Sequence, residues 1–277
     1  MKNLVSAQWL CKNISDKNIV IVDCRSSLVE GEDGYQNYLK AHIPGAYFIN
    51  TKNQLSGSKG VHGGRHPLPD TMAFKKTIEE MGVSKNTIVV AYDDNKLFTA
   101  ARLWWQLKYI GHEKVYVLDG GLEKWLEINY PLSKNIPEQR EGNIPININK
   151  EMQITAQEIQ QRLEDDTLVL LDARTKERYI GEVEPVDKIA GHIPGAKLYP
   201  AEDNLKEKGE WKEKDKLEKR FEDIKNYQDI GLYCGSGINA CMNFIALDEL
   251  GLKAKLYVGS WSDWITYRDY PIAKGEK

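Results

Sequence analysis

Five residues, His42-Ile43-Pro44-Gly45-Ala46, return letter for letter as His192-Ile193-Pro194-Gly195-Ala196, 150 positions later. At an offset of 149, Asp23-Cys24-Arg25 after the apolar run Ile19-Val20-Ile21-Val22 is matched by Asp172-Ala173-Arg174 after Leu168-Val169-Leu170-Leu171. Thr87 to Tyr92 corresponds to Asp229 to Tyr233, and Trp125 with Tyr130-Pro131-Leu132 corresponds to Trp264 with Tyr270-Pro271-Ile272. Self-similarity at one offset along nearly the whole chain means two copies of one folding unit. A length of 277 residues suits two domains. Ser133 to Lys150 carries Pro137, Gly142, Pro145 and five Asn or Gln residues, which is linker composition. The expected division is therefore an N-terminal domain at 1–135, a linker at 136–150 and a C-terminal domain at 151–277.

Each copy runs through the same alternation of periods. Ser6 can cap a first helix, and Thr155-Ala156-Gln157-Glu158 is a capping-box pattern ahead of Ile159 and Leu163. An apolar strand follows, then the HIPGA segment, an amphipathic helix, a second apolar strand, a loop, a long helix at 97–110 or 238–250, and a last strand and helix. Strands alternating with helices predict α/β domains, each a mostly parallel sheet flanked by helices. In such sheets the chemistry sits in loops beyond the strand carboxyl ends.

Composition narrows the function. Thirty-eight Lys and Arg against 41 Asp and Glu leave a net charge of −3, too little cation for nucleic-acid binding. No apolar run approaches the roughly 18 residues of a membrane-spanning helix. The N-terminus reads as a first helix, not a signal peptide. Four cysteines, at 11, 24, 234 and 241, form neither a disulfide framework nor a zinc spacing, and a reducing cytoplasm is expected.

One cysteine stands in a special place. The strand ending at Tyr233 runs into Cys234-Gly235-Ser236-Gly237-Ile238-Asn239-Ala240, where the next helix starts. Two glycines let successive N–H groups turn toward one centre, and these dipoles with the helix N-terminus favour a thiolate. A thiolate phosphatase would need an arginine six residues after the cysteine, where this chain has Ala240, so phosphoryl oxygens would lack a guanidinium. Sulfur transfer through a persulfide fits better.

These residues resemble the tandem-domain rhodanese-like sulfurtransferases over essentially the full length. The resemblance rests on both DxR and HIPGA segments, Tyr38 before His42, the CGSG loop and Gly259-Ser260-Trp261-Ser262-Asp263-Trp264. It implies an active second domain and a first domain without the nucleophile, as in Asp93-Asp94-Asn95-Lys96 after Tyr92. It implies 3-mercaptopyruvate as donor, because the loop from Cys234 to Ala240 has no charged side chain besides the thiolate; thiosulfate sulfurtransferase activity, or a low-turnover persulfide carrier or thiol sensor, are the alternatives. By position, Arg178 in Glu177-Arg178-Tyr179-Ile180-Gly181 matches the family's donor-binding arginine. Where mercaptopyruvate enzymes place a second arginine, Glu184-Pro185-Val186-Asp187-Lys188 has none, leaving Lys188. Loop groups of Gly235, Gly237, Ile238 and Asn239 would contact substrate. Ser236 and His66, in Arg65-His66-Pro67-Leu68-Pro69, match the family's Ser-His pair; where the family's acid would follow HIPGA this chain reads Phe48-Ile49-Asn50-Thr51-Lys52, so Asn50 or Asp70 orients the histidine, or no residue does. No metal or organic cofactor is implied, and the acceptor would be a small thiol, cyanide or a thioredoxin-like protein.

The duplicated residues read as scaffold. His42 and His192 occur in both halves, so imidazoles bonded to buried backbone are expected, and each Asp-Arg pair reads as an ion pair at a strand end. Cys241 reads as core, with a redox role toward Cys234 as the alternative. Glu207 to Arg220 reads as a solvated helix face. Tryptophans read as packing, with Trp261 and Trp264 also candidates to line an interdomain cleft.

Overall fold

The computed structural model describes residues 1–26, 34–94 and 96–276. It forms two compact units: 1–57 with 68–149 and 205–211, and 58–67 with 150–204 and 212–276. The first holds strands β1 (Leu4–Val5), β2 (Ile19–Asp23), β3 (Tyr47–Phe48), β4 (Ile88–Tyr92) and β5 (Val115–Leu118), all parallel in the order β1-β5-β4-β2-β3. Helices α1 (Ala7–Asn13), α2 (Gly34–Lys40), α3 (Thr71–Glu79), α4 (Phe98–Tyr109) and α5 (Gly121–Glu127) belong to it. The second holds β6 (Leu168–Asp172), β7 (Lys197–Leu198), β8 (Asp229–Tyr233) and β9 (Lys255–Leu256), again all parallel, in the order β7-β6-β8-β9. Its helices are α6 (Ala156–Gln161), α7 (Lys176–Ile180), α8 (Lys214–Arg220), α9 (Ala240–Glu249) and α10 (Ser260–Trp264).

Unbroken apolar runs explain the central strands: a parallel sheet covered on both faces needs hydrophobic residues pointing both ways, and every residue of β2 is buried. Both expected caps are present. Ser6 Oγ accepts the Trp9 amide, and Thr155 and Glu158 form the full capping box.

The repeat extends to individual hydrogen bonds. Asp23 pairs with Tyr92 across β2/β4, and Asp172 with Tyr233 across β6/β8. In each unit the tyrosine hydroxyl accepts the amide of the HIPGA isoleucine, Ile43 or Ile193, at 3.2 Å. His42 Nδ1 lies 2.8 Å from the Tyr38 carbonyl and His192 Nδ1 2.8 Å from that of Tyr179, each ring stacked on that tyrosine. Trp125 and Trp264 donate their indole N–H to Pro131 and Pro271, both at 2.9 Å. Both histidines are thus scaffold, as duplication implied.

Three stretches depart from the sequence reading. Residues 136–149 are strapped to the first unit, with Arg140 N–H donating to Glu80, Asn147 N–H to Ile110, and Ile144 buried. Residues 207–220 are not one helix: Gly209, with φ of 82°, lets Leu205 and Trp211 pair in a turn, Trp211 is buried, and α8 begins only at Lys214. Trp261 and Trp264 are completely buried in the second-unit core, their N–H groups bonded to Ile189 and Pro271, so neither indole faces a cleft.

Candidate active site

Cys234 follows the last residue of β8 and is nearly buried. Its loop is stapled to α10: the Cys234 and Gly235 carbonyls accept the amides of Trp261 (3.0 Å) and Ser262 (2.9 Å), and the Cys234 amide donates to Ser260 Oγ (3.1 Å). A trans peptide opposes its C=O and N–H. The Gly235 and Ser236 amides therefore point away from α10. Gly237 turns back at φ 74°, and its N–H donates to the Cys234 sulfur at 3.2 Å. A side chain at Gly237 would put its Cβ 2.2 Å from the Val258 carbonyl oxygen, so only glycine closes this loop. The result is a sulfur with an amide donor on it and two further amides directed away from α10, an arrangement that favours negative charge.

Segment 58–67, without regular secondary structure, is built into this unit. Gly63 N–H donates to Asp263 at 2.7 Å, Arg65 N–H to Ser262 Oγ at 3.0 Å, and His62 Nδ1 lies 2.7 Å from Thr266 Oγ1. The same segment delivers His66, whose Nδ1 is 2.8 Å from Ser236 Oγ. The Ser-His pair expected from residues 170 positions apart is therefore formed. The two candidates for orienting the histidine are engaged in their own loops: the Asp70 carboxylate caps α3 through the Met72 and Ala73 amides, and the Asn50 side chain accepts from Lys52 and Asn53.

Arg178, on α7, reaches the same loop. Its Nε and Nη2 bond Glu184 at 3.0 and 2.7 Å, Nη2 also bonds Asp187 at 3.1 Å, and Arg65 pairs with the other oxygen of Asp187. A Cβ built on Gly235 would lie 2.9 Å from Arg65 Nη2 and 3.3 Å from Arg178 Nη1. Both guanidinium groups thus rest against the residue after Cys234, in space that any larger side chain would fill. The loop carries no charge of its own, as read, yet the site does. Lys188, the cation proposed by position, is exposed. The second guanidinium at the loop is Arg65, the residue before His66. Nothing in the spacing connects residue 65 to residue 178, and only adjacency to His66 hinted at it. Ile238 is buried and can serve substrate only through its backbone, while Asn239 precedes α9 with no side-chain cap bond. Cys241 is buried in α9 with its thiol donating to the Gly237 carbonyl at 3.4 Å, a packing role that also steadies the loop.

The first unit uses the matching position differently. Asp93 follows β4, and one carboxylate oxygen accepts from the Thr99 amide (2.9 Å), Thr99 Oγ1 (2.6 Å) and the Ala100 amide (2.9 Å) at the start of α4. Asn95 lies outside the described residues. Burial pushes the Asp93 carboxyl up to about 7 in spite of these donors. The folded protein thus holds a proton that the unfolded chain releases near pH 4, so this group's contribution declines as pH rises from about 4 to about 7 and is constant above. In Asp93→Asn that decline should vanish, leaving the variant more stable than the parent at pH 8 by up to about 4 kcal/mol, and indistinguishable at pH 4. Amide exchange across β4 and α4 at both pH values reads this directly; a difference independent of pH would refute it.

Comparison with known proteins identifies the family of the chain. A protein of Pseudomonas aeruginosa named "Probable 3-mercaptopyruvate sulfurtransferase" is 38% identical over 280 residues, spanning 99% of this chain and 98% of that one. Thiosulfate/3-mercaptopyruvate sulfurtransferase 2 of Arabidopsis thaliana is 32% identical, over 97% of this chain and 86% of its own length. The crystal structure of the 3-mercaptopyruvate sulfotransferase SseA from Escherichia coli superposes with a TM-score of 0.84 at 33% identity, covering 95% of this chain and all of that one. The rhodanese-like domain model matches twice, at 6–128 and 155–267, one match for each half of the internal repeat. The chain is a tandem member of the rhodanese-like domain family.

Proposed function

We propose that the chain is a sulfurtransferase in which Cys234 takes sulfur from 3-mercaptopyruvate and passes it on as a persulfide. The observation that carries this reading is the Cys234 sulfur, bonded to the Gly237 amide, with the Arg65 and Arg178 guanidinium groups against Gly235. Arg178 Nη1 and Arg65 Nη2, the nitrogens not engaged by Glu184 or Asp187, would hold the donor carboxylate. The thiolate attacks the donor sulfur, an S–S bond forms, and the carbon–sulfur bond breaks with its electron pair moving into pyruvate enolate. Ser236, bonded to His66, stands to deliver the proton that converts enolate to pyruvate. A thiolate acceptor then attacks the outer sulfur of the persulfide and frees Cys234.

The acceptor is read as a thiol, small or on a thioredoxin-like protein, with cyanide as a substitute. Four free cysteines support a reducing compartment such as the cytoplasm. No helix among the described residues is long and apolar enough to cross a membrane.

The test is mass spectrometry of the protein after incubation with 3-mercaptopyruvate, where the peptide bearing Cys234 should gain about 32 Da, one sulfur atom. Pyruvate release should then continue for many turnovers with a small thiol acceptor; a halt after one equivalent would identify a carrier instead. The paired guanidiniums also suit a sulfonate, which keeps thiosulfate as the second reading. Faster turnover with thiosulfate than with 3-mercaptopyruvate would select it.

A further inference from the structure

We propose that Glu184 and Asp187 are the residues that set donor charge selectivity, cancelling the two guanidinium charges so that a monoanionic carboxylate donor is accepted and a dianionic one disfavoured. The inference rests on the reading of Cys234 as the sulfur acceptor. Their side chains are only 3% and 4% exposed, whereas those of Arg65 and Arg178 are 25% and 19% exposed. The carboxylates thus lie behind the guanidiniums, and an incoming anion meets cations whose charge is already balanced. Glu184 also receives the amides of Val186 and Asp187 and approaches Arg174 at 3.4 Å. Burial alone would raise its pKa, but Arg178 and these amides outweigh burial and keep it below the usual carboxylate range, hence ionised.

The charge balance follows from the pairs. Arg174 is matched by Asp172, Arg178 by Glu184 and Arg65 by Asp187, so the cluster carries no net positive charge. At pH 7 a 3-mercaptopyruvate donor carries one negative charge and thiosulfate two. With no excess cation in the cluster, a second charge finds no compensation for leaving water, and the cost is greatest where side chains are shielded from water. The free N–H donors can still grip either anion, so geometry alone does not separate the donors. Asp187 has a second consequence: one carboxylate bridges both arginines, which relieves the repulsion between two guanidiniums resting on one glycine.

Asp187→Asn keeps the shape and removes the charge. Its ratio of kcat/KM for thiosulfate over 3-mercaptopyruvate should rise by about tenfold relative to the parent, whichever donor the parent prefers. Asp187→Glu should restore the parental ratio, and Glu184→Gln should shift it in the same direction, which serves if Asp187→Asn fails to fold. Equal losses with both donors would show a purely structural role and overturn the inference. A readout without turnover separates it from the functional reading: in the Cys234→Ser background, affinity for thiosulfate relative to pyruvate, titrated by NMR, should rise by a similar factor when Asp187→Asn is added. If the persulfide never forms but this ratio rises, the functional reading fails and the charge selectivity stands; an unchanged ratio refutes the selectivity alone.

Discussion

Cys234→Ser should abolish pyruvate release, by roughly 10³-fold or more, and leave no persulfide on the protein. A serine hydroxyl is not ionised near neutral pH and is a poor nucleophile toward divalent sulfur, so neither displacement step proceeds. The fold should be unaffected, because the loop is held by the Cys234 and Gly235 carbonyls, the Cys234 amide and the Gly237 turn, all backbone groups that serine retains. A serine oxygen can also take the Gly237 N–H now bonded to sulfur. Thermal melting should therefore match the parent within about 0.5 kcal/mol. The informative control is the other three thiols, Cys11, Cys24 and Cys241, none of which is disulfide-bonded. Retention of the added sulfur on any of them in the variant would place the chemistry elsewhere and sink the assignment.

Arg174→Met should be strongly damaging, destabilising the second unit by about 3–5 kcal/mol. The Arg174 and Asp172 side chains are 1% and 0% exposed, joined by two parallel bonds of 3.0 and 2.6 Å. Arg174 also donates to the Gly191 carbonyl at 2.7 Å and lies over the Trp261 ring at 4.8 Å. Burial works against its charge, but Asp172 outweighs burial and raises its pKa above the ordinary guanidinium value. Methionine would leave the Asp172 carboxylate buried without a counter-charge, a cost that the added hydrophobic contact does not offset. The double variant Asp172→Leu with Arg174→Met should recover most of the loss, since replacing a whole buried pair by apolar groups is often neutral. Arg25→Met, at the matching place in the first unit, should cost less because Arg25 is 10% exposed. The units need not unfold together, so amide exchange resolved to β6 and β8 is the right measurement. A loss below about 1 kcal/mol in Arg174→Met would mean that the pair contributes little beyond its packing.

Both results bear on how the duplicated residues and the unique ones differ. Asp-Arg pairs, HIPGA histidines and paired tryptophans recur because each solves a local problem that every copy of the unit meets: joining a strand end to the next segment and satisfying buried backbone groups. Those problems are set within a few residues or across one strand pair, so sequence periodicity and self-comparison expose them. Helix caps at Ser6 and Thr155 were legible for the same reason. Where a local pattern met a competing tertiary demand, it misled: the charged stretch at 207–220 looked helical, but burial of Trp211 and the Gly209 turn divide it.

What the sequence by itself determined is the twofold α/β architecture, the glycine-flanked cysteine loop at Cys234 and the aspartate that stands at the matching position, Asp93, all carried by patterns within a short window or by comparison of the chain with itself. The tertiary structure alone decided that Arg65, Glu184 and Asp187 join Arg178 at that loop. Arg65 arrives on an irregular segment and Arg178 on a helix more than 100 residues later, and they meet over Gly235 because a shared Asp187 balances them and glycine leaves the room. Charge balance among distant side chains depends on distance and burial in three dimensions, and no periodicity in the chain encodes it.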